Sequence, residues 1–260
     1  MTKYPSTGLT CLVKLIADLR GPNGCPWDKQ QTHESLKRYL IEESYEVIHS
    51  IDSNNKGLAE ELGDVLLQVL IHSQIASEEG MFTIDDVLET LSKKLIQRHP
   101  HVFGEDLIDN ANEVELRWEQ IKQETKPVVD TPSILAGIPS SMPALAQGQL
   151  IQERASRNGF DWEEINGVLD KVCEEIREIK EAKSEQEKIA ELGDLFFSLV
   201  NVSRWMEIQA EDSMRQASSR FSSRFSRMEK LANDSGVSFS QLKQFEKEAL
   251  WERVKKLESS

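Results

Sequence analysis

The chain is poor in cysteine: only Cys11, Cys25 and Cys173 are present, far apart and without a Cys-x-x-Cys pair. So odd and scattered a set indicates neither a disulfide framework nor a zinc knuckle, and it fits a reducing cytoplasm. Basic residues are also in short supply. Lys and Arg number 31 against 45 Asp and Glu, a formal charge of −14, with a pI near 4.9. That balance argues against general nucleic-acid binding and against anionic membranes, both of which need a basic surface. It leaves a small phosphate ligand open, because a divalent metal turns an acidic site into a phosphate site. No apolar run approaches the roughly 20 residues that cross a bilayer. The stretch from Leu9 to Leu19 is broken by Lys14 and Asp18, so no apolar targeting core is expected there. The phosphate loop, the dinucleotide-binding glycine motif and the Gly-x-Ser-x-Gly elbow are all missing, which removes the familiar nucleotide and hydrolase signatures of α/β folds.

What the chain does have is helical periodicity. Leu9, Leu12, Val13, Ile16 and Leu19 mark one buried face, and Gly21-Pro22-Asn23-Gly24 ends that helix. Further helices are predicted near 33–52, 58–79, 83–98 and 111–123, then near 143–157, 165–183, 186–210, 212–232 and 238–257. Thr83 with Asp86 three residues on reads as a capping box with Asp in place of Glu. Pro127, Pro132, Gly137, Pro139 and Pro143 form the only sustained helix-hostile stretch. The chain length, 260 residues, suits two domains of modest size. The expected organisation is all-α: a first domain over 1–124, a Pro-rich linker over 125–142 and a second domain over 143–260.

The two halves repeat each other. Asn23-Gly24-Cys25-Pro26-Trp27 is echoed by Asn158-Gly159-Phe160-Asp161-Trp162, and Glu42-Glu43-Ser44-Tyr45-Glu46 by Glu174-Glu175-Ile176-Arg177-Glu178. Glu61-Leu62-Gly63-Asp64 returns as Glu191-Leu192-Gly193-Asp194, Lys94-x-x-x-Arg98 as Arg220-x-x-x-Arg224, and Trp118-Glu119-Gln120-Ile121-Lys122 as Trp251-Glu252-Arg253-Val254-Lys255. Landmarks matching in the same order mark a tandem of two related helical domains.

The repeated carboxylates carry the chemistry. Glu175 and Glu178 share a helix face, as do Glu191 and Asp194 on the next helix, with Lys183-Ser184-Glu185-Gln186 able to turn the chain between them. The first copy repeats this with Glu43, Glu46, Glu61 and Asp64. Single Glu-x-x-Glu pairs usually lie on solvated faces. Here the pattern occurs twice, abuts apolar sequence (Val65-Leu66-Leu67 and Leu195-Phe196-Phe197) and brings a mid-helix glycine each time. Two like charges about 4 Å apart cost roughly 4 kcal/mol at an effective dielectric near 20, so such a cluster calls for a cation. Carboxylate oxygens without His or Cys suit Mg²⁺, or Mn²⁺ as a substitute, rather than zinc. Gly63 and Gly193 each cost their helix about 1 kcal/mol, which points either to close helix packing or to close approach of a ligand. His99-x-His101 flanks Pro100 and lacks a zinc helix's spacing, so a structural or capping role is expected. Cys25 reads as a packed thiol. On residues alone two readings remain open: a metal-dependent enzyme, or a helical nucleotide- or partner-binding module with a structural metal.

Glu-Glu-x-x-Glu followed after a short interval by Glu-x-x-Asp resembles the signature of the MazG-like, all-α nucleoside triphosphate pyrophosphohydrolases. Asn23-Gly24-Cys25-Pro26-Trp27-Asp28, Arg98-His99-Pro100-His101-Val102-Phe103 and Trp118-Glu119-Gln120-Ile121-Lys122 extend the likeness to tandem-domain members over essentially the whole chain. The resemblance implies Mg²⁺-dependent, ATP-binding hydrolysis of nucleoside triphosphates to monophosphate and pyrophosphate by a helical homodimer, in nucleotide-pool or alarmone clearing. It assigns Glu175, Glu178, Glu191 and Asp194 as catalytic metal ligands, with Glu43, Glu46, Glu61 and Asp64 as a second site. It assigns Lys171, Glu174, Lys188, Arg220, Arg224, Trp251 and Lys255 to the nucleotide, and makes the C-terminal copy the working one. Arg220 stands where Lys is usual, and Lys188 lies one position closer to the acidic pair than is common.

Overall fold

The structure, a computed structural model, describes residues 8–53, 56–104, 110, 113–114, 117–118, 121 and 133–258. It divides into two compact units, Met1–Pro127 and Val128–Ser260. Among the described residues the ordered elements are helices, with no strand. None of these helices is long and apolar enough to cross a membrane. The helix expected at 111–123 and much of the Pro-rich stretch lie largely outside the described residues.

The first unit comprises α1 (Leu9–Arg20), α2 (Pro26–Gln30), α3 (His33–Asp52), α4 (Leu58–Glu78), α5 (Ile84–Arg98) and the short α6 (Pro100–Phe103). Helices α3 and α4 pack along each other, and α1 and α5 lean on α4. Ile16, Leu36, Leu70, Ile71 and Ile75 form the core, with Val13, Tyr39 and Ile84 against it. Arg20 ends α1 and is only 6% exposed. It donates to the Glu78 carboxylate on α4 and to the Asp28 and Gln31 carbonyls, so one guanidinium fastens three elements. Thr83 and Asp86 form the capping box that starts α5. His99 closes the same helix, its Nδ1 2.6 Å from the Leu95 carbonyl oxygen. That is the capping role its sequence context suggests.

The second unit comprises α7 (Ala144–Arg157), α8 (Ile165–Glu181), α9 (Glu185–Trp205), α10 (Ala210–Asp234), a 3₁₀ turn (Phe239–Gln241) and α11 (Gln244–Glu258). Ser184 caps α9 by accepting from the Glu187 N–H while Glu187 reaches back to the Ser184 N–H. This turn returns the chain so that α8 and α9 pack side by side. Helix α7 crosses α9 closely: a Cβ on Gly148 would already touch the Phe197 ring at 3.5 Å. Two buried glutamines on α7 tie it to α9 and to the start of α10. Gln152 donates to the Phe197 carbonyl at 2.7 Å, and Gln149 accepts from the Ala210 N–H at 2.8 Å, satisfying the start of α10. Val168, Val200, Met228, Ala232 and Val254 are buried in this unit, and α11 lies on α10.

Candidate active site

Helices α8 and α9 bring the second acidic set together. Glu175, Glu191 and Asp194 offer carboxylate oxygens within 4.8 Å of one another, and Glu174, Glu175 and Glu178 do the same. Glu175 belongs to both groups and is 2% exposed. A buried carboxylate needs a partner charge, and here Lys171 supplies it. Its Nζ lies 2.7 Å from Glu175 Oε1 and 2.8 Å from Glu174 Oε1, one helical turn away. The hydrogen bonds to Glu174 and Glu175 push the Lys171 ammonium well above the usual lysine range. Lys171 in turn holds Glu174 below the usual carboxylate range. Glu178 goes the other way: partial burial, then the charges of Glu175 and Glu191, raise its carboxyl. The donor set, hard oxygens from two helices with excess negative charge, fits Mg²⁺ or Mn²⁺.

The first unit gathers Glu43, Glu46 and Glu61 in the same way. Burial first, then Asp64 and its acidic neighbours, raise Glu43, and burial followed by Glu46 raises Glu61. Tyr39 stands where the second copy has Lys171, at matching distance from the Glu-Glu-x-x-Glu run, so no lysine sits one turn before Glu43.

A cavity of about 710 Å³ opens beside the second acidic set, well inside the size range of small-molecule sites. Lys171, Glu175, Glu178 and Asp194 line one part of it, and Ile134, Leu135, Ile151, Phe160 and Trp162 line another. Arg154 reaches from α7 to the Ile134 and Ala136 carbonyls and so holds the turn that supplies Ile134 and Leu135. Gly167 makes the seat for Trp162, since a Cβ there would meet the indole at 2.5 Å.

The same cavity is lined by a pair that the sequence did not flag, Asp161 and Arg204. Arg204 donates from Nη1 and Nη2 to the two carboxylate oxygens of Asp161, at 2.9 and 2.5 Å, and from Nε to Asn201 Oδ1 at 2.9 Å. Asp161 also accepts from the Trp162 N–H and the Trp205 indole. Burial acts to raise Asp161, but these hydrogen bonds outweigh it and hold the carboxyl below the usual range. Asp161 and Trp162 appear in the sequence only as a repeat landmark. Arg204 lies too far along the chain for spacing to connect it with them.

The remaining sequence candidates lie elsewhere in the unit. Lys188 is exposed in the first turn of α9. Arg220 is exposed on α10. Arg224 bonds Glu258 at 2.8 Å and sits over the Trp251 ring at 5.6 Å. Trp251 packs against Phe221, and Lys255 pairs with Glu252 at 2.9 Å. The last four lie on α10 and α11, and none of the five lines the cavity. Gly63 and Gly193 also depart from one expectation: a Cβ at either would meet nothing within 4 Å. Close helix packing within the described residues is therefore not their reason.

Fold and site together define an all-α protein that presents paired acidic motifs from neighbouring helices beside a ligand-sized cavity. A family model described as the MazG nucleotide pyrophosphohydrolase domain matches residues 31–103. The chain is 47% identical over 245 residues to the nucleoside triphosphate pyrophosphohydrolase/pyrophosphatase MazG of Thermotoga maritima, covering 94% of both chains. It is 40% identical over 254 residues to the nucleoside triphosphate pyrophosphohydrolase of Escherichia coli K12, covering 95% of this chain and 97% of that one. It is also 43% identical to YabN of Bacillus subtilis, covering 94% of this chain and 51% of that protein. The chain belongs to the MazG family of nucleoside triphosphate pyrophosphohydrolases, and it is an enzyme of that class.

Proposed function

We propose that the second unit hydrolyses nucleoside triphosphates to the monophosphate and pyrophosphate with Mg²⁺, and that the reaction serves nucleotide-pool or alarmone clearing in the cytoplasm. The observation that carries this reading is a cavity walled both by Lys171, Glu175, Glu178 and Asp194 and by an apolar, aromatic surface. A nucleotide has those two halves, a polyanion and a flat apolar base. Glu175, Glu178, Glu191 and Asp194 would hold the cation, which when bound supplies charge neutralisation for the phosphates and a more acidic water. Lys171 adds a positive charge at the same end. Trp162, seated on Gly167, and Phe160 offer the base a stacking surface. On this reading the base lies in the cavity. Lys188, Arg220, Arg224, Trp251 and Lys255 are retained as outer nucleotide contacts on the family resemblance alone.

The test is product identification with each triphosphate. Hydrolysis should stop in excess chelator, return with Mg²⁺ or Mn²⁺, and return poorly with Ca²⁺, whose looser and higher coordination suits this site badly. Monophosphate and pyrophosphate should appear in equal amounts. Diphosphate and orthophosphate would mean attack at the γ-phosphorus and a different site geometry.

A homodimer is part of the same proposal. Ile189, Leu192, Phe196 and Leu199 form one stripe along α9, and each is at least 44% exposed. Gly193 lies open beside this stripe, and Leu62, Leu66 and Val69 repeat it on α4. Apolar stripes of this kind call for a matching surface, and a second copy provides one by two-fold symmetry. Sedimentation should give a dimer or larger species. A monomer that persists as concentration rises would remove this part of the proposal.

A further inference from the structure

We propose that Lys171 is a built-in counter-ion which holds Glu175 until the divalent cation arrives, and that the cation displaces its ammonium into the cavity, where a nucleotide phosphate receives it. The inference deepens the proposed function and rests on its metal-dependent reading. Three features support it. Glu175 is the most enclosed carboxylate of the set, at 2% exposure, and it is the one shared by both groups of potential ligands. Lys171 Nζ sits 2.7 Å from Oε1 of the carboxylate that a cation would share. And the Lys171 side chain is 37% exposed and lines the cavity, so its four-carbon stem has somewhere to go.

The consequence is a linkage. An ammonium and a divalent cation that compete for one carboxylate oxygen weaken each other's binding. A phosphate that takes the displaced ammonium relieves the competition, so cation and nucleotide should strengthen one another by the same factor. The first unit, with Tyr39 at the corresponding position, has no lysine to compete and should lack this device.

The experiment titrates Mn²⁺ into the full chain, by electron paramagnetic resonance or calorimetry, with and without the non-hydrolysable α,β-methylene analogue of ATP. The first-unit carboxylates are present in every variant and act as a constant background. In the native chain the analogue should tighten Mn²⁺ binding at the second unit by about tenfold or more, in the range of ordinary coupling between sites. Lys171→Met should tighten Mn²⁺ binding without nucleotide by a similar factor and should shrink the effect of the analogue to the part that direct contact between cation and phosphate supplies. Its melting temperature should fall in chelator and recover with Mn²⁺, because Glu175 is left unpaired only while the cation is absent. Lys171→Arg keeps the competing charge and should bind Mn²⁺ no more tightly than the native chain. Unchanged or weaker Mn²⁺ binding in Lys171→Met would overturn the counter-ion role, as would full retention of the analogue's effect in that variant. These titrations read binding and stability only. A native chain that hydrolyses no triphosphate would therefore sink the proposed function without deciding the role of Lys171.

Discussion

Glu175→Gln or Asp194→Asn should lower triphosphate hydrolysis by about 10²–10³, which corresponds to losing roughly 3–4 kcal/mol of transition-state stabilisation. Glu43→Gln or Asp64→Asn should lower it less than about tenfold, the smaller loss expected of groups outside the reacting centre. Each swap keeps side-chain size and removes one ligand charge. The asymmetry follows from what surrounds the two acidic sets. In the second unit Glu175 is buried, paired with Lys171 and placed on a cavity with an aromatic wall. The first unit keeps the carboxylates but has Tyr39 in place of the lysine. Steady-state kinetics on all four variants, with circular dichroism to confirm folding, measures the difference. Large losses from the first-unit pair alone would move the active site to Glu43, Glu46, Glu61 and Asp64. Equal partial losses would make both units working sites.

The helices and the acidic sets were legible in the sequence because both depend on local spacing. The predicted spans near 33–52, 58–79 and 83–98 are observed at His33–Asp52, Leu58–Glu78 and Ile84–Arg98, since apolar period and caps act over a few residues. The expected span 238–257 breaks into a 3₁₀ turn and α11, with Leu242 in extended backbone between them. Glu-x-x-Glu and Glu-x-x-Asp at helical spacing required only that two neighbouring helices pack, and the Ser184 capping turn arranges that. The cavity depended on contacts the spacing does not encode. Ile134 and Leu135 come from a turn held by Arg154, and Asp161 is met by Arg204 from the far end of α9. The basic and aromatic residues Arg224, Trp251 and Lys255 were grouped with the carboxylates by motif. On α10 and α11 they meet Glu258, Phe221 and Glu252, contacts that the spacing did not indicate. The open space in front of Gly63 and Gly193 likewise could not be read from a glycine in a helical pattern, which allows packing and ligand approach equally.

Arg204→Met should destabilise the second unit by about 2–4 kcal/mol, somewhat below the usual cost of leaving one member of a fully buried ion pair alone. The side chains of Arg204 and Asp161 are 14% and 25% exposed, so water screens part of the loss. For a unit of this size that corresponds to a fall of about 5–15 °C in melting temperature. The effect should depend on acidity in a defined direction. The Asp161 carboxyl is held below its usual range, burial opposing and the Arg204, Trp162 and Trp205 hydrogen bonds prevailing. A depressed carboxyl contributes stability that is full above the ordinary carboxylate range and is lost as pH falls through its folded value. The native chain and Arg204→Met should therefore differ most near neutrality and converge in acid, once Asp161 is protonated in both. Asp161→Asn should cost less than Arg204→Met, because the guanidinium keeps its bond to Asn201. The double variant should cost less than the sum of the two singles, the signature of direct coupling. Thermal unfolding of the four proteins across pH measures both quantities. Additive losses, or a gap that widens in acid, would show that the pair does not fasten the loop carrying Asp161 and Trp162 to α9, and the aromatic wall of the cavity would need another support.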